Sequence, residues 1–525
     1  MKENDVSSPS PVVAPLDAFN QALLEQVHPP NWLNPTPRNP YDLVVIGAGT
    51  AGLVTALGTA GLKLGLKIAL IEKQLLGGDC LNWGCVPSKC LIEAARRVAL
   101  VRNAQEFGIE VDLKSIDFAA IMARMRRVRS QISHHDSVHR CQELGIDVFF
   151  GVAQFTNSTT LEVDGTALKF RRAVIATGAK PTVPAIPGLG EVGYLTNETI
   201  FSLTTLPPRL GIIGGGPIGC ELGQAFQQFG SQVTIFQRGA HLLSREDPDV
   251  AAILQHRLQN EGVNLALGAQ LESVALTPTG KSIHYRQGDQ VHSLEVDQIL
   301  VAVGRSPNVG SLNLAAAGIE LTEQGHLEVN DYLQTRQAHI YAAGDVCLDH
   351  KFTHSADAAA RIVIKNALFS PFGLGRSQLS RLIIPQVTYT QPELARVGLT
   401  LEKAQTQGLR PAVIEIPFSE VDRAIAAGEA EGMIRVIYDP RGDRILGAVI
   451  VGYQAGEMIS QVTQTMVHQK GLKSLTQVIY PYPTRTEVIK KVADTYYQNS
   501  LLNSVSQYLL NVALKLTTLN LLIKT

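Results

Sequence analysis

Leu43-Val44-Val45-Ile46-Gly47-Ala48-Gly49-Thr50-Ala51-Gly52 is the stretch that decides the fold. An uninterrupted apolar run of this length reads as a strand buried on both faces, the habit of parallel sheets. Three glycines then fall at the first, third and sixth places of a turn that opens a helix. Gly47 permits the tight turn, Gly49 lets a pyrophosphate approach the backbone, and Gly52 lets helix and strand pack closely. The helix N-terminus faces the phosphates. Twenty residues past Gly52, the strand Lys67-Ile68-Ala69-Leu70-Ile71 ends at Glu72, a carboxylate placed to accept the hydroxyls of an adenosine ribose.

The pattern recurs. Arg209-Leu210-Gly211-Ile212-Ile213 leads into Gly214-Gly215-Gly216-Pro217-Ile218-Gly219 and a second helix running through Glu221 and Phe226. The next strand, Gln232-Val233-Thr234-Ile235-Phe236, ends at Gln237-Arg238 instead of an acid. With no carboxylate for a 2′-hydroxyl and a guanidinium beside it, this site favours a 2′-phosphate, hence NADP(H) over NAD(H). The alternative is a solvated Arg238 next to a Gln237 that tolerates NAD.

A chain of 525 residues exceeds one hydrophobic core and points to three or four domains. Its 46 basic and 47 acidic residues leave a net charge of −1, which argues against a nucleic-acid partner. Six cysteines are too few for a disulfide scaffold, and one close pair among them reads as redox or metal chemistry. Neither a secretory signal nor an apolar run of about 18 residues is seen, so a cytoplasmic location is expected. Residues 1–40 hold eight prolines and read as a mostly irregular arm with one apolar patch, Leu16, Phe19, Leu23 and Val27. Near the other end, Leu502, Val505, Leu509, Val512, Leu516, Leu519 and Ile523 recur by threes and fours, predicting an amphipathic helix. That tail is expected to pack on its own dimer; peripheral membrane contact is the alternative.

Gly77-Gly78-Asp79-Cys80-Leu81-Asn82-Trp83-Gly84-Cys85-Val86-Pro87-Ser88-Lys89 carries the chemistry. Pro87 suits a first helical turn, so Cys85 sits near a helix N-terminus that favours its thiolate. Lys89 lies one turn on, on the same face. A stabilised yet nucleophilic thiolate is what thiol–disulfide exchange requires. The second Cys or His pair that a zinc site needs is missing, and no metal site is expected.

This string resembles the active-site signature of the FAD-containing pyridine nucleotide–disulfide reductases, class I, which include glutathione reductase, dihydrolipoamide dehydrogenase and mercuric reductase. The resemblance runs from residue 41 to about 495. It includes Ala176-Thr177-Gly178, Val303-Gly304-Arg305-Ser306-Pro307-Asn308, Ile340-Tyr341-Ala342-Ala343-Gly344-Asp345 and Pro385-Gln386-Val387-Thr388. It implies an α/β chain of two Rossmann-like dinucleotide-binding domains plus an α+β dimerisation domain. The segments would be an FAD domain at 41–188 and 313–384, an NAD(P) domain at 189–312, an interface domain at 385–498 and the tail at 499–525. Cys85 would be the thiol against the flavin and Cys80 the exposed interchange thiol. Lys89 and Glu221 would form an ion pair beside the flavin. Asp345 would hold the ribityl chain, or else cap a following helix. Cys90, Cys141, Cys220 and Cys347 match no family role.

One departure steers the expected activity. Most members carry His-Pro-Thr-x-x-Glu near the C-terminus, supplied across a homodimer as the acid–base pair. Here the string is Tyr482-Pro483-Thr484-Arg485-Thr486-Glu487, and a phenol of pKa near 10 exchanges protons poorly at neutral pH. A tyrosine at this place is similar to mercuric reductase, although no cysteine follows Cys347. The expected function is therefore electron transfer from NAD(P)H through FAD and Cys80–Cys85 to a metal ion or small soft electrophile. Quinone or nicotinamide transhydrogenation, reduction of another disulfide, and a non-enzymatic flavoprotein are the alternatives.

Overall fold

The computed structural model describes residues 13–502 and 504–524, apart from the side chains of 504, 505 and 520–524. Residues 1–12 of the expected irregular arm lie outside that set. The described remainder of the arm is irregular apart from one helix, which falls on the expected apolar patch. Asp17 caps helix α1 (Ala18–Val27), accepting the Asn20 N–H at 2.9 Å. Val13, Leu23 and Val27 are buried in the first core, while Leu16 of the expected patch stays exposed. Beyond the helix, Asn34 pairs with both backbone groups of Phe150, at 2.7 and 2.8 Å. Proline-rich composition signals irregular backbone, but it is silent about tertiary hydrogen bonds that order such backbone.

The described residues up to Leu242, with Gln259–Leu382, form one compact unit. Its first sheet is parallel, in the order Ile340–Ala342, Ala173–Ile175, Leu43–Ile46, Ile68–Glu72, Ile146–Phe150. Every residue of Leu43–Ile46 is buried, as the apolar run predicted. Helix α2 (Thr50–Gly61) follows the first glycine turn. Two further helices, α3 (Gly78–Asn82) and α4 (Cys85–Arg102), carry the cysteines, and α5 (Phe118–Ile132) packs beside them. The second parallel sheet runs Asn264–Leu267, Gln232–Gln237, Arg209–Ile213, Gln298–Val301, with α6 (Pro217–Phe229) after its own glycine turn. The chain then returns to complete the first sheet at Ile340–Ala342 and continues into α7 (Thr353–Leu368). Both dinucleotide turns therefore lie at the carboxyl ends of strands, where open α/β sheets bind ligands.

Leu243–Leu258 and the residues from Ile383 onward form the second unit. Its sheet is antiparallel, in the order Gln386–Thr388, Glu393–Gly398, Ile445–Gly452, Met433–Tyr438, Ala412–Pro417. Two arginines tie the 243–258 segment to this sheet. Arg396 meets Glu246 at 2.8 Å, the arginine buried and the carboxylate nearly so, and Arg435 reaches Asp247 at 3.4 Å, with Asp249 and Glu415 as further partners. Burial raises the Glu246 pKa even with Arg396 beside it.

Helices α8 (Glu487–Leu501) and α9 (Ser504–Lys524) end the chain. The tail is helical as predicted, but its amphipathic character needs correction. Leu509, Leu516 and Leu519 of the expected stripe are exposed, and so are Tyr508, Leu510 and Leu514. At 3.6 residues per turn, Leu510 and Leu514 fall well off that stripe, so α9 is apolar on more than one face. The side chains of Val505 and Ile523 lie outside the described residues. No helix among the described residues is long and apolar enough to cross a membrane.

The buried pair sets a stability test. Arg396→Ala should destabilise the protein by about 3 kcal/mol, because it strands Glu246 as an uncompensated buried charge. Glu246→Gln should cost less, since the Arg396 guanidinium keeps the Gly398 carbonyl and the Gln386 Oε1 as acceptors. Chemical denaturation of the two variants reads the order; equal losses would show that the charge is not the cause.

Candidate active site

The glycine cradles are sterically committed. Gly47 has φ +99°, and a Cβ on Gly52 would lie 1.8 Å from the Gly47 carbonyl oxygen. In the second cradle Gly214 has φ +113°, and a Cβ on Gly219 would lie 2.0 Å from the Gly214 oxygen. The N-caps of α2 and α6, Gly49 and Gly216, make no side-chain cap hydrogen bond. First-turn N–H groups at such ends are ready partners for a phosphate.

The two acceptor positions mirror each other. Glu72 is buried, its carboxylate accepting the Ala48 N–H at 2.7 Å and the Gln74 N–H at 2.8 Å. Burial raises its pKa, opposed by those N–H groups. Gln237 takes the equivalent hydrogen bond, from the Gly215 N–H at 3.0 Å, without the charge. Arg238 follows it, exposed. Gly178 and Gly304 have positive φ and open space where a Cβ would stand, and Gly344, φ +83°, packs against Ala51. Asp345 does not cap a helix, because α7 starts only at Thr353 behind Phe352. Burial raises the Asp345 carboxyl, and Arg305 lies 3.6 Å away. These residues fit an FAD whose phosphates take the first cradle and whose ribose takes Glu72.

Cys80, expected to be the exposed thiol, is half-buried within α3, and Cys85, which opens α4 behind its N-cap Gly84, is the more exposed of the two in the protein alone. The two neighbouring thiols act on each other in opposite directions, favouring charge on Cys85 and opposing it on Cys80. The Cys80 hydrogen bond, the Thr353 hydroxyl at 3.3 Å and the charge of Lys89 bring Cys85 down to about 6, against burial and Asp79. That partnership and burial push Cys80 far up. The Lys89 ammonium stands 2.8 Å from Glu221, joining α4 to α6. Cys141 and Cys220 are buried, and burial raises the thiols of Cys90, Cys141, Cys220 and Cys347.

Two side chains that the motifs did not single out belong here. Thr353 reaches the thiolate from α7, 268 residues away in sequence. Arg305 meets Asp79 at 3.1 Å, and Asp79 in turn accepts from Asn197 at 2.9 Å. Arg305 stood inside a family-like string; nothing local marked Thr353. In the second unit, Tyr482 is exposed and donates its phenolic hydrogen to Asp422 at 2.8 Å, which raises its pKa. Glu487 opens α8, with its Oε2 buried and holding no hydrogen bond among the described residues. His468, the nearest upstream imidazole, is exposed.

Two dinucleotide cradles beside a polarised dithiol define a flavin-type dithiol oxidoreductase. Residues 41–361 match the pyridine nucleotide-disulphide oxidoreductase family, and residues 384–493 match its dimerisation domain. The chain belongs to that FAD-dependent, pyridine-nucleotide-linked family of enzymes. It is 35% identical over 456 residues to a mercuric reductase of Lysinibacillus sphaericus, covering 87% of this chain and 82% of that protein. It is 32% identical to a dihydrolipoyl dehydrogenase of Thermus scotoductus, covering 88% and 98%. Among solved structures, a Cu(II) complex of the HOCl-induced flavoprotein disulfide reductase RclA from Escherichia coli superposes with a TM-score of 0.77, at 31% identity over 87% and 99% of the two chains. The dimerisation domain supports a homodimer.

The thiolate is directly testable. In the reduced protein the Cys85 thiolate should persist above pH about 6 and be lost as pH falls through that value. Thr353→Val removes a hydrogen bond to the charged form and should move the midpoint upward. Thiolate absorbance followed across pH reads both; an unmoved midpoint would remove Thr353 from the site.

Proposed function

We propose that the chain passes two electrons from NADPH, through FAD, to the Cys80–Cys85 disulfide, and that the dithiol reduces a metal ion or small soft electrophile. Bound FAD supplies the relay between nicotinamide and thiols. The observation carrying this reading is the setting of the pair: Cys85 opens α4, 3.3 Å from the Thr353 hydroxyl and one turn from the Lys89–Glu221 ion pair, with a tyrosine where related enzymes use histidine. Gly47, Gly49, Gly52, Glu72, Gly178, Gly344 and Asp345 would hold FAD. Gly214, Gly216, Gly219, Gln237, Arg238 and Gly304 would hold the nicotinamide cofactor. Lys89 and Glu221 would set the charge beside the flavin.

Reduction breaks the Cys80–Cys85 bond and leaves a thiol and a thiolate. Closing it again releases two electrons to the acceptor and a proton to solvent. A metal ion that binds thiolates needs no acid to protonate a leaving group. A disulfide substrate does, and the Tyr482 phenol is already committed to Asp422. The mercuric reductase relatives and the copper-bound structure support a metal acceptor. The dihydrolipoyl dehydrogenase relatives support the second reading, a disulfide. In the homodimer, Tyr482 and Glu487 are proposed to face the partner subunit's cysteine pair.

A panel of metal ions, quinones, oxidised nicotinamide and disulfides, run with NADPH and NADH on native protein and Cys80→Ser, separates these readings. Metal reduction lost in Cys80→Ser is the expected result. Quinone or nicotinamide turnover that survives the substitution would overturn it. Tyr482→His should raise disulfide turnover by about 10²-fold, the usual worth of a general acid–base group. Fast native disulfide turnover, undiminished in Tyr482→Phe, would transfer the assignment to the second reading.

The cofactor preference has its own test. NADPH should give the higher kcat/KM, and Arg238→Glu should erase or reverse that preference, because a carboxylate repels a 2′-phosphate. A native preference for NADH of about tenfold, roughly 1.4 kcal/mol, would reject the reading of Arg238.

A further inference from the structure

The family match begins at residue 41, yet residues before it are built into the flavin-side core. We propose that the segment 13–38 clamps the loop Glu72–Cys85 from both ends, and that Arg129 is the positioning residue through which it sets the cysteine turn.

The loop needs an outside hold. Gly77 and Gly78 sit within it at φ +86° and +57°, so its own backbone offers little stiffness. Asn82, between the two cysteines, fixes the turn from inside by donating to the carbonyls of Leu76 at 3.0 Å and Gly78 at 2.9 Å. Arg129 fixes it from outside. Its side chain is almost wholly buried in α5, donating to the Asn82 carbonyl at 2.7 Å and to Asn20 Oδ1 of α1 at 2.6 Å. Both acceptors are neutral, and Asp17, the nearby carboxylate, is taken by Arg126 at 2.6 Å. A buried guanidinium is expensive unless its hydrogen bonds do something the fold requires. Here they join the N-terminal helix to the peptide between the redox cysteines.

The second hold is at the other end of the loop. The Leu76 N–H donates to the Val27 carbonyl at 3.1 Å, and the His28 ring hydrogen-bonds the Gln74 carbonyl. The Gln74 N–H is one of the two donors on Glu72. His28 also stacks on Phe150, ring centroids 3.9 Å apart, with Trp32 edge-on to the same ring. One segment thus reaches the carboxylate assigned to the ribose through Gln74, and the turn that carries the thiols through Arg129. The clamp does not depend on which acceptor the enzyme uses.

The test uses the full-length FAD-loaded protein with Arg129→Met, Arg129→Lys, Asn20→Ala and His28→Ala. Three quantities are read: flavin fluorescence released on dilution, the pH midpoint of the Cys85 thiolate band in the reduced enzyme, and Tm. Arg129→Met and Asn20→Ala should raise the midpoint by about one unit as the Cys80–Cys85 hydrogen bond loosens, and Arg129→Lys should restore part of it. His28→Ala should speed FAD release about tenfold, the scale of one hydrogen bond with its stack, while leaving the midpoint in place. A lower Tm with midpoint and release unchanged would reduce the segment to scaffolding and overturn the proposal, as would no change in any variant. Should Arg129→Met fail to fold, Asn20→Ala removes one partner and keeps the charge, so it decides alone.

Discussion

Everything at the site depends on two neighbouring thiols that act on each other in opposite directions. Their hydrogen bond is the largest influence on each, lowering Cys85 and raising Cys80. Such a bond demands that a helix end and a helix start be held a few ångströms apart. Gly84 makes this feasible by joining α3 to α4 at φ −128°, ψ −109°, and Asp79 crowds the place where its side chain would be. A thiolate stabilised too strongly loses nucleophilicity as well as basicity. The Lys89 charge that favours Cys85 is tempered by Glu221 at 2.8 Å, so the field at the sulfur is moderate.

The same chain solves dinucleotide binding twice with one change of charge. Glu72 and Gln237 occupy matching strand ends and take matching hydrogen bonds from the glycine turn. The shape of each cradle is therefore independent of the side chain's charge, and the charge is left to choose the ligand. A buried carboxylate with its pKa raised suits neutral ribose hydroxyls. A neutral amide followed by an exposed arginine suits a phosphate. On the proposed reading specificity rests on two residues, while the turn of each cradle rests on Gly47 and Gly52 or Gly214 and Gly219, where a Cβ would strike backbone.

That division explains what could be read without coordinates. The glycine turns and the Cys80–Cys85 string were legible because hard-sphere limits and helix-end electrostatics act over a few residues. The second position of the ion pair, Glu221, lies 132 residues from Lys89 and was reached only through family resemblance. Thr353 escaped both routes: a threonine at a helix start is ordinary, and only folding brings it to sulfur. The proline-rich arm was legible as backbone, irregular with one apolar patch, but not as contacts, because Asn20, Asn34 and His28 find distant partners. The tail misled, since one apolar stripe was counted and the leucines on the other side of the helix were not.

Tyr482 shows how a single substitution reaches beyond its own position. A histidine there could hand a proton to a leaving thiol and recover it near neutral pH. The phenol starts from a pKa near 10, and its bond to Asp422 raises it further, because ionising it would place two negative groups 2.8 Å apart. To donate elsewhere it must first give up a charge-assisted hydrogen bond, among the stronger kinds a surface residue makes. Glu487, which would brace an imidazole, is left with a buried oxygen lacking a hydrogen bond among the described residues. Proton delivery is thus weakened at both members of the pair, while the thiolate itself is kept ready at neutral pH. On the reading proposed for this site, chemistry that consumes thiolates and needs no acid is what that balance favours.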